Sequence, residues 1–400
     1  MSDNQLVIEL PPPGMLIREL AITAINMMGE FGGVKISQVG NEVIVSHDNL
    51  GVALGSFSSE VNLIYEVKSD KVMWPRLHVN DKGTLKKAIP QAQLSSMESY
   101  GDVSIYYVNK LPELLGRGGR LSIKLSRDSI TLGRGEISMF QLFKVELYER
   151  GLSFNQPYQM ELSVRFDEAW ASLLLSGFIL SYMGMRRDDG VVISTIPEVA
   201  LEPCSRDSWL AVNLASTLYN VPTNPAIPYI LYMYVTSILL EEPSSRRSML
   251  SNAPKYLEFF DRIFSRECEG RWDRGVALRV HRIAATRKAF TEISREDLVV
   301  GAGVAKLADL CIKEGCECLQ QLRGVIEKSL GAREPKILNA VTMLYEALIG
   351  SKNPAEASYY LARAIKDQEE REGRTLIDRY CFGKLLEILT GINISYMARQ

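Results

Sequence analysis

The sequence predicts an α+β protein, with a mixed, largely antiparallel sheet domain at the N-terminus followed by a C-terminal α-helical bundle. Three observations lead to that class. Short runs of alternating apolar and polar residues recur through the first half, as in VKISQVGNEVIVSH, where Gly40-Asn41 separates two such runs in the manner of a hairpin turn. Beyond about residue 200 the apolar period lengthens from two toward three or four. From Ala305 onward nearly all of the chain reads as helices joined by short turns.

The elements follow in order. LVIEL is a short strand ended by Pro11 to Pro13 and Gly14, and Leu16, Ile17, Leu20, Ala24 and Met27 then recur at helical spacing. After the Gly40-Asn41 hairpin, strands are expected around Val103 to Val108, Arg120 to Ser126, Ser129 to Leu132, Ile137 to Tyr148, Gln159 to Arg165 and Val191 to Ile196. Ala169 to Met185 is uncharged and apolar but shorter than a usual membrane span. With Ser172, Ser176 and Ser181 inside it and charges at both ends, it reads as a buried helix. In the C-terminal part, Ile337, Val341, Leu344 and Leu348 form a stripe on a helix from about Pro335 to Ile349, stopped by Gly350. Asn353 is placed to cap a helix that begins Pro354-Ala-Glu356, and Ile377, Cys381, Leu385 and Ile388 form a third stripe closed by Gly391. No internal similarity of the tetratricopeptide kind links these helices.

Four hundred residues exceed what one core organises, and the period changes suggest three regions. They are an α+β domain at 1–200, a mainly helical intermediate region with a basic element at 201–300, and the helical bundle at 301–400. The apolar share of 46%, the charged share of 24% and a net charge of -2 are those of a folded, soluble chain without a polyionic tail. MSDNQLVIELPPPG lacks the basic and apolar regions of a secretory signal, so the expected location is cytoplasmic, with no membrane partner. Cys204, Cys268, Cys311, Cys316, Cys318 and Cys381 lack the paired short spacings of a zinc site and read as buried reduced thiols, with a disulfide left open.

The motifs of common chemistries are missing. There is no phosphate loop followed by Lys and Ser or Thr, and GEFGG and GRGG read as hairpin or loop glycines. No G-x-S-x-G elbow presents a nucleophile. With only His47, His78 and His281, a multi-histidine metal centre has little material. His47-Asp48 matches the dipeptide of HD phosphohydrolases but ends a predicted hairpin, and no histidine precedes it. Tyr229, Tyr232 and Tyr234 lie in a continuous apolar helix and read as core. The expectation is therefore no catalytic residue, no cofactor and no metal.

The positive charge is local. From Arg271 to Lys288, RWDRGVALRVHRIAATRK sets Arg271, Arg274, Arg279, Arg282, Arg287 and Lys288 against the single acid Asp273. If residues 275–288 are helical, Val276, Val280, Ile283 and Ala284 lie on one side, while Arg279 and Arg282 project from another as guanidinium forks suited to phosphate. A strand would divide those arginines between two faces. A solvated helix paired to Glu267, Glu269, Glu292 and Asp297 is the plainer reading. A second basic run, Gly116 to Glu136, contains Arg117, Arg120, Lys124, Arg127 and Arg134; as a strand it sets Arg120, Ser122, Lys124 and Ser126 on one face. Lys82, Lys86 and Lys87 add a weaker patch. Two basic elements in separate domains suit an extended nucleic acid better than a small anion.

The layout as a whole resembles the large subunit of archaeal type I-A CRISPR interference complexes, known as Cascade: an α+β N-terminal portion, then NPAIPYILYMYVTSILLEEPSSRR, the basic WDRGVALRVHRIAATRKAFTEI, and a helical bundle. The resemblance implies a noncatalytic subunit in antiviral defence that helps recognise the DNA flanking a target and stabilises strand separation. Its partners would be the crRNA-containing Cascade subunits, target DNA and a separate nuclease-helicase. An adaptor for acidic proteins, or a metal-dependent nuclease built on His47 and Asp48, are the competing expectations.

Overall fold

The computed structural model describes residues 4–70, 72–127, 129–144, 163–186, 190–199, 277–285, 290–299, 317–332, 335–348 and 351–390. The chain divides into two compact units, one formed by Met1–Asn220 with Ala277–Asp297, the other by Val221–Val276 with Leu298–Gln400.

In the first unit, β1 (Gln5–Glu9), β2 (Lys35–Val39), β3 (Glu42–Ser46) and β4 (Gly119–Leu121) form a sheet in the order β2-β3-β1-β4. The predicted hairpin is present, with Val39 opposite Glu42 and Gly40 at φ 60°, a conformation that suits glycine. Four longer helices pack beside the sheet: α1 (Leu16–Gly32), α2 (Leu50–Ser69), α5 (Tyr100–Leu115) and α6 (Glu168–Ser181). Between α2 and α5 lie the short α3 (Val79–Leu85) and α4 (Gln91–Leu94). Helix α6 is the uncharged stretch read as a buried helix, and from Trp170 to Ser181 every residue is buried. An apolar helix surrounded on all sides belongs in the middle of a core. It starts where the Asp167 side chain accepts the N–H of Trp170 at 3.0 Å, and it packs against α1 and α5. The approach to α1 is close: a Cβ on Gly177 would stand 2.0 Å from the carbonyl oxygen of Leu20.

The same unit holds two more four-stranded sheets. One comprises β5 (Ile123–Leu125), β6 (Ser129–Leu132), β7 (Ile137–Ser138) and β8 (Ser163–Phe166), in the order β5-β6-β8-β7. The other comprises β9 (Tyr182–Arg186), β10 (Gly190–Thr195), β11 (Ala277–Ala285) and β12 (Phe290–Val299), in the order β12-β11-β10-β9. Apolar residues of all three sheets join those of α1, α2, α5 and α6 in one continuous core.

The α+β class holds, while several finer expectations change. The single largely antiparallel sheet is, among the described residues, three small sheets, and β1 with β4 and β6 with β8 pair in parallel. The strand expected at Val103 to Val108 lies inside α5. Ser99 and Asp102 form a capping box there, and Tyr100, Val103, Tyr107, Val108 and Leu111 recur at helical spacing on its buried face. The strand expected from Ile137 to Tyr148 stops at Ser138 and gives way to a 3-10 turn at Gln141–Phe143. Residues 275–288 are not helical where described: Ala277–Ala285 is strand β11, hydrogen-bonded to β10 of the first unit. That pairing also removes Ala277–Asp297 from a separate helical region at 201–300. The remainder of that region, with Tyr229, Tyr232 and Tyr234, lies outside the described residues.

The second unit carries the expected bundle: α7 (Glu317–Ala332), α8 (Pro335–Leu348), α9 (Pro354–Glu372) and α10 (Arg379–Thr390). Helix α8 contacts α7 and α9, and α10 contacts α9 and α7. The stripe Ile337, Val341, Leu344 and Leu348 is buried, and the Asn353 side chain accepts the N–H of Ala355 as the sequence leads one to expect. Of the third stripe, Ile377, Cys381 and Leu385 are buried as expected, and Leu389 takes the place expected for Ile388. Gly350 and Gly391 lie outside the described residues. Cys318 and Cys381 are joined in a disulfide between α7 and α10, so these two are not the reduced thiols expected. Cys204, Cys268, Cys311 and Cys316 lie outside the described residues. Among the described residues no helix is long and apolar enough to cross a membrane.

Candidate nucleic-acid interface

The second basic run folds into two sheets. After β4 the chain bends at Ser122, whose carbonyl accepts the N–H of Gly133 at 2.9 Å and the indole N–H of Trp170 at 3.3 Å. It then continues as β5. Arg120 therefore belongs to the sheet of β1 and Lys124 to the sheet of β6, so the expected face of Arg120, Ser122, Lys124 and Ser126 is broken.

The sheet of β5, β6, β8 and β7 provides a different row. Lys124 stands opposite Thr131, Thr131 beside Arg165, and Arg165 opposite Ser138, so four neighbouring strands each contribute one outward residue. Residues at one register level share a face. Ile130, Leu132, Ile137, Val164 and Phe166 fill the other, buried face. Ser129 and Ser163 form a second outward pair. No carboxylate occupies the outward positions of these strands among the described residues. Lys124 and Arg165 are exposed and two strands apart, roughly 10 Å at the usual strand spacing. Arg165 is braced from behind, since its Nε donates to the carbonyl of Gly135 at 2.6 Å and Nη2 to that of Glu136 at 3.2 Å. The sequence contained the signal for this residue in SVRF, an alternating run just before the Asp167 helix cap.

The other cations of this run differ in setting. Arg127, past the end of β5, and Arg117, in the turn before β4, are both exposed. Arg120 forms an ion pair with Glu42 of β3, half-exposed on both sides. Lys82, Lys86 and Lys87 are exposed on and after α3.

The first basic run has another fate. As a strand, β11 divides Arg279 from Arg282, because neighbours alternate between faces. Arg279 points to the side of Thr195 and His281 and is held by acids: Nε and Nη2 bind Asp297 at 2.6 and 2.9 Å, and Nη1 binds Glu19 at 2.7 Å. Those bonds raise its pKa further. His281, fully buried, has Nε2 2.7 Å from Glu19 and Nδ1 2.5 Å from Glu292. Thr195 donates to Glu19 at 2.6 Å, and Arg295 donates to Glu292 at 2.7 Å. Burial pushes the Glu19 carboxyl up, but the bonds and charge of His281, with Thr195 and Arg279, hold it down at about 2. Burial likewise acts to discharge His281, and its two carboxylates outweigh that and raise its pKa. Arg282, half-buried on the opposite face, acts on the carboxyl of Glu296. For Arg279 the pairing with Asp297 expected on the plainer reading is present, on a strand in place of a helix. Arg271, Arg274, Arg287 and Lys288 lie outside the described residues.

His47 does not gather acids. Its Nδ1 accepts the N–H of Asn49 at 2.9 Å, and Asn49 in turn caps α2 by accepting from Val52 at 3.2 Å. The dipeptide thus opens a helix. Among the described residues no group of three or more His, Cys, Asp or Glu side chains is placed to hold a metal ion.

Compared with protein-family models, curated proteins and solved structures, the chain matches none of them.

Proposed function

We propose that this chain is a noncatalytic nucleic-acid-binding subunit that holds a phosphate backbone against the outer face of the β5-β6-β8-β7 sheet. The observation that carries the reading is the cross-strand row Lys124, Thr131, Arg165 and Ser138, two cations and two hydroxyls without an outward carboxylate. Guanidinium, ammonium and hydroxyl groups are the usual donors to phosphate oxygens, and a flat face presents them to a long polyanion. Arg127, just past the end of β5, extends the positive charge beside it, while Arg279 is committed to internal acids and takes no part.

The resemblance to type I-A large subunits supports DNA flanking a guide-paired target as the polyanion. On that reading the chain is cytoplasmic, its partners are crRNA-containing Cascade subunits and a separate nuclease-helicase, and the chemistry belongs to those partners.

The test is charge reversal with Lys124→Glu and Arg127→Glu together, measured by fluorescence anisotropy on a labelled DNA duplex over a salt series. Binding should weaken by about tenfold or more, and the slope of log affinity against log salt should shrink by about 2, one unit for each lost phosphate contact. Unchanged binding with an unchanged melting temperature overturns the reading. Capture of an acidic protein that excess duplex does not displace would favour the adaptor reading instead.

A further inference from the structure

We propose that one proton on His281 fastens the β11–β12 hairpin to α1, and that its loss at alkaline pH releases the hairpin while the helical core of the unit stays folded. The inference is independent of any nucleic acid.

The geometry demands the proton. A neutral imidazole has one N–H and one lone pair, so it satisfies one carboxylate and repels a second. Here each ring nitrogen faces a carboxylate oxygen, Nε2 toward Glu19 at 2.7 Å and Nδ1 toward Glu292 at 2.5 Å. Only the imidazolium donates to both. The groups around it come from every element that packs there: Glu19 from α1, Thr195 from β10, Arg279 from β11, and Glu292, Arg295 and Asp297 from β12. Among the hydrogen-bonded groups, three carboxylates meet two guanidiniums and one imidazolium, so that set is neutral with the proton in place; Arg18 of α1 acts on Glu19 through space while its guanidinium is bonded to Pro11 and Asn41. Without it, one negative charge is left uncompensated beside side chains that are 5% exposed or less, a costly arrangement in a low-dielectric site.

The hairpin is the part that yields. Among the hairpin residues whose side chains are described, the buried apolar ones are Val280, Ile283 and Phe290, and the backbone ladder to β10 and the charged network supply the other contacts. By contrast, α1 and α6 are buried along most of their length. Docking of the hairpin therefore depends on the charges far more than docking of the helices does, and such segments open locally ahead of the whole. The contact is also long-range, since 262 positions separate Glu19 from His281, and nothing local replaces it.

The full chain supplies the test. It contains three histidines, so ring-labelled protein yields few nitrogen signals, and His47→Gln and His78→Gln identify the other two. At about pH 7 both His281 nitrogens should show imidazolium shifts. As the ring deprotonates at higher pH, backbone amides of β11 and β12 should lose protection from hydrogen exchange by about tenfold or more, relative to β1 and β3 in the same sample. Glu292→Gln removes one acceptor charge and should move the ring's titration to lower pH, together with the loss of hairpin protection. A ring already neutral at about pH 6, a hairpin whose protection tracks β1 and β3 throughout, or an unmoved titration in Glu292→Gln would each overturn the proposal.

Discussion

The ammonium of Lys68 donates to the carbonyl oxygen of Tyr182 at 2.7 Å, and to those of Ile179 and Leu180 at 2.7 and 3.1 Å, out of contact with solvent. Lys68 sits in the last turn of α2, and its side chain takes up carbonyls left without partners where α6 ends and β9 begins. Replacing it with methionine keeps the length and removes the donor, leaving buried acceptors unpaired. Lys68→Met should cost about 3 kcal/mol, read from the urea midpoint. Burial pulls the Lys68 pKa from 10.5 down to about 7. The unfolded chain then holds this proton more tightly, so stability rises with pH from about 7 toward 10.5. The difference between wild type and Lys68→Met should accordingly widen between neutral and mildly alkaline pH. A constant difference would show that burial does not lower the Lys68 pKa below its ordinary value.

The Glu19 network sets two further limits with opposite signs. Burial opposes the charge on Glu19 and Glu292, but His281 and their other donors win, so both folded pKa values lie below the ordinary 4.5. Their stabilisation is present above that value and is lost as pH falls toward 2. The folded pKa of His281 is raised, so its stabilisation is complete below the ordinary 6.5 and is lost as pH climbs through the raised value. Scanning calorimetry should place the plateau contributed by this network between about 4.5 and 6.5. Glu19→Gln should flatten the acid limb; an acid limb of unchanged steepness would show that Glu19 is not a source of it.

Gly177 bears on packing alone. With a Cβ only 2.0 Å from the Leu20 carbonyl, Gly177→Ala must push α6 away from α1. An alanine normally favours a helix, yet here the loss should be about 2 to 3 kcal/mol, seen as a lower melting temperature. A stabilised variant would mean that the two helices do not lie this close.

The Cys318–Cys381 disulfide closes 63 positions of the second unit. Loop closure of that length corresponds to about 4 kcal/mol. Cys381→Ser, or reduction under mild denaturant, should make the peptide bonds of α7 and α10 sensitive to limited proteolysis while α1 and α6 remain protected. Equal resistance before and after reduction would show that the helices hold without the bond.

Much of the fold was readable where the local signal and the burial agree. The Gly40 hairpin, the buried α6, the Asn353 cap and the stripe of α8 all follow from patterns a few residues long. The misreadings share one cause. Val103 to Val108 is apolar enough for either state, and it is the Ser99–Asp102 capping box just before it and the helical spacing from Tyr100 to Leu111 that separate helix from strand. Ala277–Ala285 has a usable helical spacing, and its pairing with β10 is decided by a partner more than 80 positions away. Tertiary context overrode local preference there. At the candidate interface, Lys124 was visible as part of a basic run, whereas Arg165 joined it only through the parallel pairing of β6 with β8.

The amino-acid order by itself determined the α+β class, the helical C-terminal part and the places where positive charge is dense, because hydrophobic period, caps and composition are local properties. Which of those charges face water was decided by the tertiary structure. Arg279 turned inward to Glu19, a residue 260 positions away, because strand β11 laid it against α1, while Lys124 and Arg165 turned outward because three strands met at one register level. A guanidinium is equally basic in either setting; the carboxylate that the fold brings to it determines whether it holds the chain together or remains open to a phosphate.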